Sequence, residues 1–170
     1  MSMSHPLTEQ PLDFPGMRKI AVFRALQLGD LLCVVPALRA LRAAAPQARI
    51  TLIGLPWTSI FVQRFHRYVD ESLVFPGFPG LPESEPQPEL LPQFFSEAQS
   101  RSFDLAIQLH GSGNLSNPLT VALNAKRTAG FYEEGRYCPD PALFTPWQED
   151  EHEVLRYVRL MELLGAKTQG

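Results

Sequence analysis

Residues 18–55 read RKIAVFRALQLGDLLCVVPALRALRAAAPQARITLIGL, and this stretch decides the fold. Its first apolar run, 20–23, is too short for a helix, is rich in Ile, Val and Phe, and shows no polar alternation. A strand buried on both faces of a parallel sheet looks like this. After a short loop at 25–29, Leu31, Leu32, Val34, Val35, Leu38 and Leu41 recur at helical spacing, with Arg39 and Arg42 on an opposite face. The spacing predicts a long helix beginning near Asp30. Pro36 brings no amide donor to that helix and predicts a kink or a tightened first turn. A second apolar run at 50–53 completes a β-α-β unit. In an open parallel sheet the loops after the carboxyl ends of strands handle ligands, which places Gln27, Gly29 and Asp30 on the functional edge.

Outward from this unit the same alternation continues. Pro56 and Trp57 open a helix carrying Ile60, Phe61 and Phe65, and 73–75 is a short third strand. Residues 76–92 hold six prolines, two glycines and three glutamates with no periodicity, and predict an extended loop of the functional or mobile kind. A helix at 93–100 leads to a strand at 105–109, a turn at 110–113, a helix at 114–124 capped by Asn114 or Ser116, and a fifth strand at 127–131. Residues 132–150, with Gly135, Pro139, Pro141 and Pro146, read as irregular. Val154, Leu155, Val158, Met161 and Leu164 mark a last amphipathic helix at 151–164, stopped by Gly165. Strands alternating with helices predict an α/β, Rossmann-like, doubly wound and mostly parallel sheet of order 3-2-1-4-5.

A chain of 170 residues with 45% hydrophobic content can bury one sizeable core. Its 15 basic and 18 acidic residues give a net charge of −3 with no run of Lys or Arg, so nucleic acid is not an expected partner. The start, 1–16, has no basic segment followed by an apolar stretch and reads as a loose tail rather than a secretory signal. The longest uncharged apolar run, 31–38, contains Pro36 and is too short to span a bilayer. Two cysteines, Cys33 and Cys138, make no disulfide framework, and a cytoplasmic protein is the expectation. No His, Cys and carboxylate cluster has metal-ligand spacing, so neither a metal nor another cofactor is expected. Neither G-x-G-x-x-G nor G-x-x-x-x-G-K occurs, which disfavours dinucleotide and triphosphate sites, and the absence of G-x-S-x-G disfavours a serine hydrolase.

Three segments, in order, carry a family resemblance. Ile20 to Arg24, Leu28-Gly29-Asp30, and Pro36 to Leu41 followed by Pro46 resemble the opening of glycosyltransferase family nine, the ADP-heptose:lipopolysaccharide heptosyltransferases. Phe103 to Gly111 is similar to that family's fourth strand and turn, and His152 to Arg156 through Leu164-Gly165 to the helix closing its first domain. The resemblance spans about 17–165 and implies the N-terminal half of a GT-B glycosyltransferase, with 1–16 a tail and 166–170 the start of an interdomain linker. It implies an inverting transfer of a sugar, in lipopolysaccharide biosynthesis for the family, from a nucleotide-sugar to a glycan or lipid-linked acceptor. The donor is held mainly by a second, C-terminal domain, so the isolated chain is expected to be inactive. A lipid-linked acceptor adds a peripheral place at the inner face of the membrane to the cytoplasmic expectation.

Each candidate residue carries two readings. Asp30 stands where a helix N-cap is wanted, and the resemblance assigns it the role of the base that takes the acceptor's proton. Gly29 lets the loop turn tightly and approach a ligand, or is a plain turn glycine. Arg24, at the end of the first strand, holds an anion or is a solvated charge. His110, with Gly111, Ser112 and Asn114, lies at the carboxyl end of the fourth strand and so lines the crevice of Asp30; it touches substrate or bonds a neighbouring loop. From 68 to 100 there is no Lys or Arg but six acidic residues, which departs from an enzyme that grips an anionic lipid core. The rival reading is a non-catalytic Rossmann-like binding or interaction module.

Overall fold

The computed structural model describes residues 12–168. Strands β1 (Lys19–Phe23), β2 (Arg49–Gly54), β3 (Glu71–Val74), β4 (Leu105–Gln108), β5 (Arg127–Tyr132) and β6 (Phe144–Pro146) form one sheet in the order β3-β2-β1-β4-β5-β6. Every neighbouring pair is parallel. The central strand β1 sits between β2 and β4, with Val22 in register with Leu52 on one side and Ile107 on the other.

Helices α1 (Leu28–Leu32), α2 (Val35–Ala44), α3 (Thr58–Arg64), α4 (Leu91–Ser100), α5 (Ser116–Val121) and α6 (Glu153–Leu163) cover both faces. The pleat of β1 divides the core accordingly. Ile20 and Val22 pack with Leu38 and Leu41 of α2 and with Leu160 and Met161 of α6, whereas Ala21 and Phe23 pack with Phe75, Phe94 of α4 and Leu119 of α5. All four of these β1 side chains are buried, and burying a side chain of Ile or Phe size contributes about 1.5–3 kcal/mol. This two-sided burial is why the strand shows no alternation in the sequence.

Four expectations are revised. The long helix is two helices: it breaks at Cys33 and Val34, and Pro36 opens α2 instead of kinking a continuous rod. Pro36 has no N–H for the carbonyl four residues back, so the backbone restarts where the missing donor does no harm. The stretch 132–150 contains the short edge strand β6, which pairs with β5 through Gly130 opposite Phe144. Three residues ending in Pro146 carry no period, so pairing alone defines this strand. The extended loop is shorter than 76–92, because a 3-10 turn spans Pro88–Leu90 and α4 begins at Leu91 with Pro92 in its first turn. Of the tail expected at 1–16, residues 1–11 lie outside the described residues, but Leu12 and Phe14 are buried in the core. Residues 169 and 170 of the expected linker also lie outside, and Ala166 is buried. No helix among the described residues is long and apolar enough to cross a membrane.

Candidate functional site

The carboxyl ends of β1 and β4 are neighbours, and the strand order changes direction between them. The two loops that leave these ends therefore share one crevice, the topological switch point of the sheet. The first carries Gln27, Gly29 and Asp30, and the second carries His110, Gly111, Ser112 and Asn114.

Arg24 ties the loops together from beneath. Its side chain is fully buried, which corrects both the solvated and the anion-holding readings. Nε and Nη2 donate to the main-chain oxygen of Asp30 at 3.0 and 2.7 Å. Nη1 donates to the Leu109 carbonyl and to the Tyr157 hydroxyl, the latter at 2.7 Å, and Nη2 also meets Glu153 Oε1 at 3.1 Å. Five contacts match the five N–H donors of a guanidinium, leaving none for a ligand. The guanidinium carbon also lies 4.6 Å from the centre of the Tyr157 ring, a cation–π contact. Burial pushes the Glu153 carboxyl up, but the hydrogen bond and charge of Arg24 outweigh it and hold that carboxyl below its usual range. Glu153 and Tyr157 were missed in the sequence. Their one signal was the spacing of four residues, which puts both on one face at the start of α6.

Asp30 is held by its main chain and free at its side chain. It lies in the first turn of α1 and is not the N-cap, which is Gln27, whose side chain makes no capping bond. Its carboxylate is half-buried and has no hydrogen-bond or ion-pair partner among the described residues. Gly29 also sits inside α1 with an ordinary φ, so it makes no tight turn; nothing lies within 4 Å of where its Cβ would be. Gln27 is exposed beside it.

His110 is 6% exposed, and its ring serves the wall of the crevice. Nδ1 accepts the amide of Ala25 at 3.1 Å, so the neutral ring carries its proton on Nε2, which faces Glu83 Oε1 at 3.7 Å. Burial, with the Arg24 charge second, pushes the imidazole down to about 4, so the ring is neutral at physiological pH. Of its two readings, the structure shows the loop bond to Ala25. Glu83 reaches it from the loop after β3, where Gly77, Leu81 and Ser84 close over His110 and leave no space for a water molecule.

The rest of the second loop is built on a buried polar bracket. Gln108 Nε2 donates to Asn117 Oδ1 at 2.9 Å, Asn117 Nδ2 donates to the Phe131 carbonyl at 2.8 Å, and the His110 amide donates to Gln108 Oε1. Gly113 has φ +103, and a Cβ there would run into Asn117 and the Phe131 carbonyl, so glycine is required twice over. Gly111 has φ +70 and open space before it. Neither Asn114 nor Ser116 caps α5: Ser116 Oγ donates to the His110 carbonyl at 2.7 Å. Ser112 Oγ donates to Glu133 at 2.7 Å, and this hydroxyl, followed by the Asn114 side chain, lowers the Glu133 carboxyl. The geometry thus presents one unengaged, positionally fixed carboxylate, Asp30, beside a rim of neutral donors and acceptors. Among the described residues no group of three or more His, Cys, Asp or Glu could hold a metal ion.

No protein-family model matches the sequence, and no curated protein matches it. Solved structures do. The glycosyl transferase family 9 structure from Veillonella parvula DSM 2008 superposes with a TM-score of 0.70 at 21% identity, covering 92% of this chain and 43% of that one. Heptosyltransferase WaaC of E. coli, with ADP-2-deoxy-2-fluoro heptose, gives a TM-score of 0.61 at 15% identity, covering 89% of this chain and 50% of that one. Its complex with ADP gives a TM-score of 0.61 at 16% identity, over 89% and 49%. The chain therefore spans half or less of the length of the structures it matches, and its fold is that of one Rossmann-like half of a GT-B glycosyltransferase.

Proposed function

We propose that this chain is the N-terminal, acceptor-side half of an inverting glycosyltransferase that moves a sugar from a nucleotide-sugar to a glycan or lipid-linked acceptor. One observation carries the reading: Arg24 clamps the main chain of Asp30 while the carboxylate stays unengaged at the switch-point crevice. A base must be fixed in place yet free to accept a proton, and this arrangement separates the two demands within one residue. The acceptor hydroxyl gives its proton to Asp30 as its oxygen attacks the anomeric carbon from the face opposite the nucleotide. The bond from that carbon to the phosphate oxygen breaks, and a nucleoside diphosphate leaves.

Gln27, Ser112 and Asn114 supply hydrogen bonds to the acceptor at the rim, and Gly29 and Gly111 leave room for it to approach. His110 shapes the floor through Ala25. The donor is held by a second, C-terminal domain that faces this crevice. A family-nine role would place the protein in the cytoplasm, at the inner membrane face where the acceptor is lipid-linked. The test is transfer. In a two-domain form given ADP-heptose and a panel of glycan acceptors, release of ADP with inversion at the anomeric carbon supports the proposal. Release that is undiminished in Asp30→Asn removes Asp30 as the base.

A further inference from the structure

The two edges of the sheet differ in how far their charges are offset. On the amino edge, Lys19, Arg49 and Arg127 begin strands, with Arg101 and Lys126 beside them, and Glu71, Asp104 and Asp140 stand among these cations as ion-pair partners. On the carboxyl edge stand the carboxylates of Asp30, Glu133 and Glu153, with Glu83 behind them in the loop that closes over His110. Glu83 comes within 3.7 Å of His110, Glu133 accepts from Ser112, and Glu153 shares Arg24 with the main chain of Asp30. One Glu83 oxygen, Oε2, is buried with no hydrogen-bond partner among the described residues.

The cations on this side offset those carboxylates only in part. Arg24, buried with all its donors engaged, neutralises Glu153 at 3.1 Å, and Arg156 points Nη2 at the carbonyls of Gln148, Glu149 and Glu151 while lying 3.7 Å over the Trp147 ring. Arg136 is exposed and its charge acts on Glu133, the one carboxylate it offsets. His110 is uncharged at neutral pH. A cleft lined by one sign of charge focuses its field, which raises the local concentration of neutral and cationic ligands relative to anions. Carboxylates only accept hydrogen bonds, so they match hydroxyl and ammonium donors and have nothing to offer a phosphate.

We infer that the acceptor taken by this crevice is a glycan bearing hydroxyl or amino groups and no phosphate or carboxylate. The inference rests on the reading of the crevice as the acceptor site. It is tested on the full chain, isotope-labelled, by following the amides of Ala25, Gln27, Asp30, Gly111 and Asn114 during titration. Three glycosides of one sugar serve as probes: one unmodified, one with an amino group and one phosphorylated. The unmodified and amino glycosides should shift these amides, and the phosphorylated one should bind roughly tenfold more weakly, a difference of about 1.4 kcal/mol. Salt at about 1 M, where the screening length falls to roughly 3 Å, should narrow that gap, and Glu83→Gln should narrow it at low salt. A phosphorylated glycoside that binds these amides as tightly as the others, or a gap that salt leaves unchanged, overturns the inference while the acceptor-site reading stands. If none of the three glycosides shifts these amides, the acceptor-site reading falls, and the inference with it.

Discussion

The two edges of the sheet solve the same problem, a row of strand ends with charged neighbours, in opposite ways. At the amino edge the carboxylates have found partners. Asp104 accepts the amides of Arg18 and Lys19 at 2.8 and 3.0 Å and meets Lys126 at 3.1 Å; Glu71 meets Arg49 at 2.7 Å and Arg101 at 2.8 Å; Asp140 meets Arg127 at 2.9 Å. Burial pushes the Asp104 carboxyl up, but the two amides and the Lys126 ammonium outweigh it, so that carboxyl titrates below its usual range. At the carboxyl edge the Asp30 carboxylate has no partner, one Glu83 oxygen has none, and a buried arginine is used to hold backbone. One edge is compensated and serves stability. The other is left unsatisfied, and unsatisfied polar groups held in place are what binding and catalysis draw on.

The largest effect that would break this contrast is at Asp30. In a catalytically competent two-domain form, Asp30→Asn should reduce turnover by roughly 10²–10⁴-fold while thermal melting hardly moves, because no side-chain bond is lost. Steady-state rates and calorimetry on one preparation measure both, and a melting point that falls with the rate would make Asp30 a structural residue like those of the opposite edge. Next in size is Arg24→Met, which leaves the carbonyls of Asp30 and Leu109 without their donor. It should lower stability by about 3 kcal/mol, read as a lower urea midpoint at unchanged slope.

His110 sharpens the comparison through pH. Its folded pKa, about 4, lies below its ordinary 6.5, so between these values the unfolded chain binds a proton that the folded chain does not. The stability tied to the neutral ring is therefore complete above 6.5 and is lost as pH falls toward 4, by roughly 2–3 kcal/mol. His110→Asn should flatten the melting profile between pH 6.5 and 5, above the range where the lowered carboxyls of Asp104, Glu71 and Glu151 begin to protonate. The facing charges are Arg24 and Glu83, and a profile equally steep in the variant would assign the slope to other groups. Smallest is Asp104→Asn at the amino edge, about 1 kcal/mol of stability and no change in ligand response at the crevice amides. An Asp104→Asn protein that lost glycan binding would mean that the edges are coupled.

Much of this architecture was legible along the chain, and where it was not the reason is physical. Apolar runs at β1, β2 and β4 and the helical spacing of α2 and α6 are properties of consecutive residues, since a strand buried on two faces or a helix buried on one writes its period locally. The position of Asp30 after the first strand, and of His110 after the fourth, followed from topology alone. Side-chain fate did not. Arg24 reads as a surface charge because arginine at a strand end usually is one; that it is buried depends on Tyr157 and Glu153, more than a hundred residues on. The three-residue shift that makes Gln27 rather than Asp30 the N-cap goes with the Arg24 contact to the Asp30 carbonyl and the break before Pro36, neither of which a capping pattern records.

By itself, then, the sequence determined a parallel α/β sheet, the loops that meet at its switch point, and an acidic stretch from 68 to 100 without a single Lys or Arg. Only the tertiary structure decided which of those charges are neutralised. Local periodicity reports which face of an element is buried, but pairing of charges depends on contacts between elements distant in the chain, and those exist only once the sheet has brought both loops and the start of α6 to one edge.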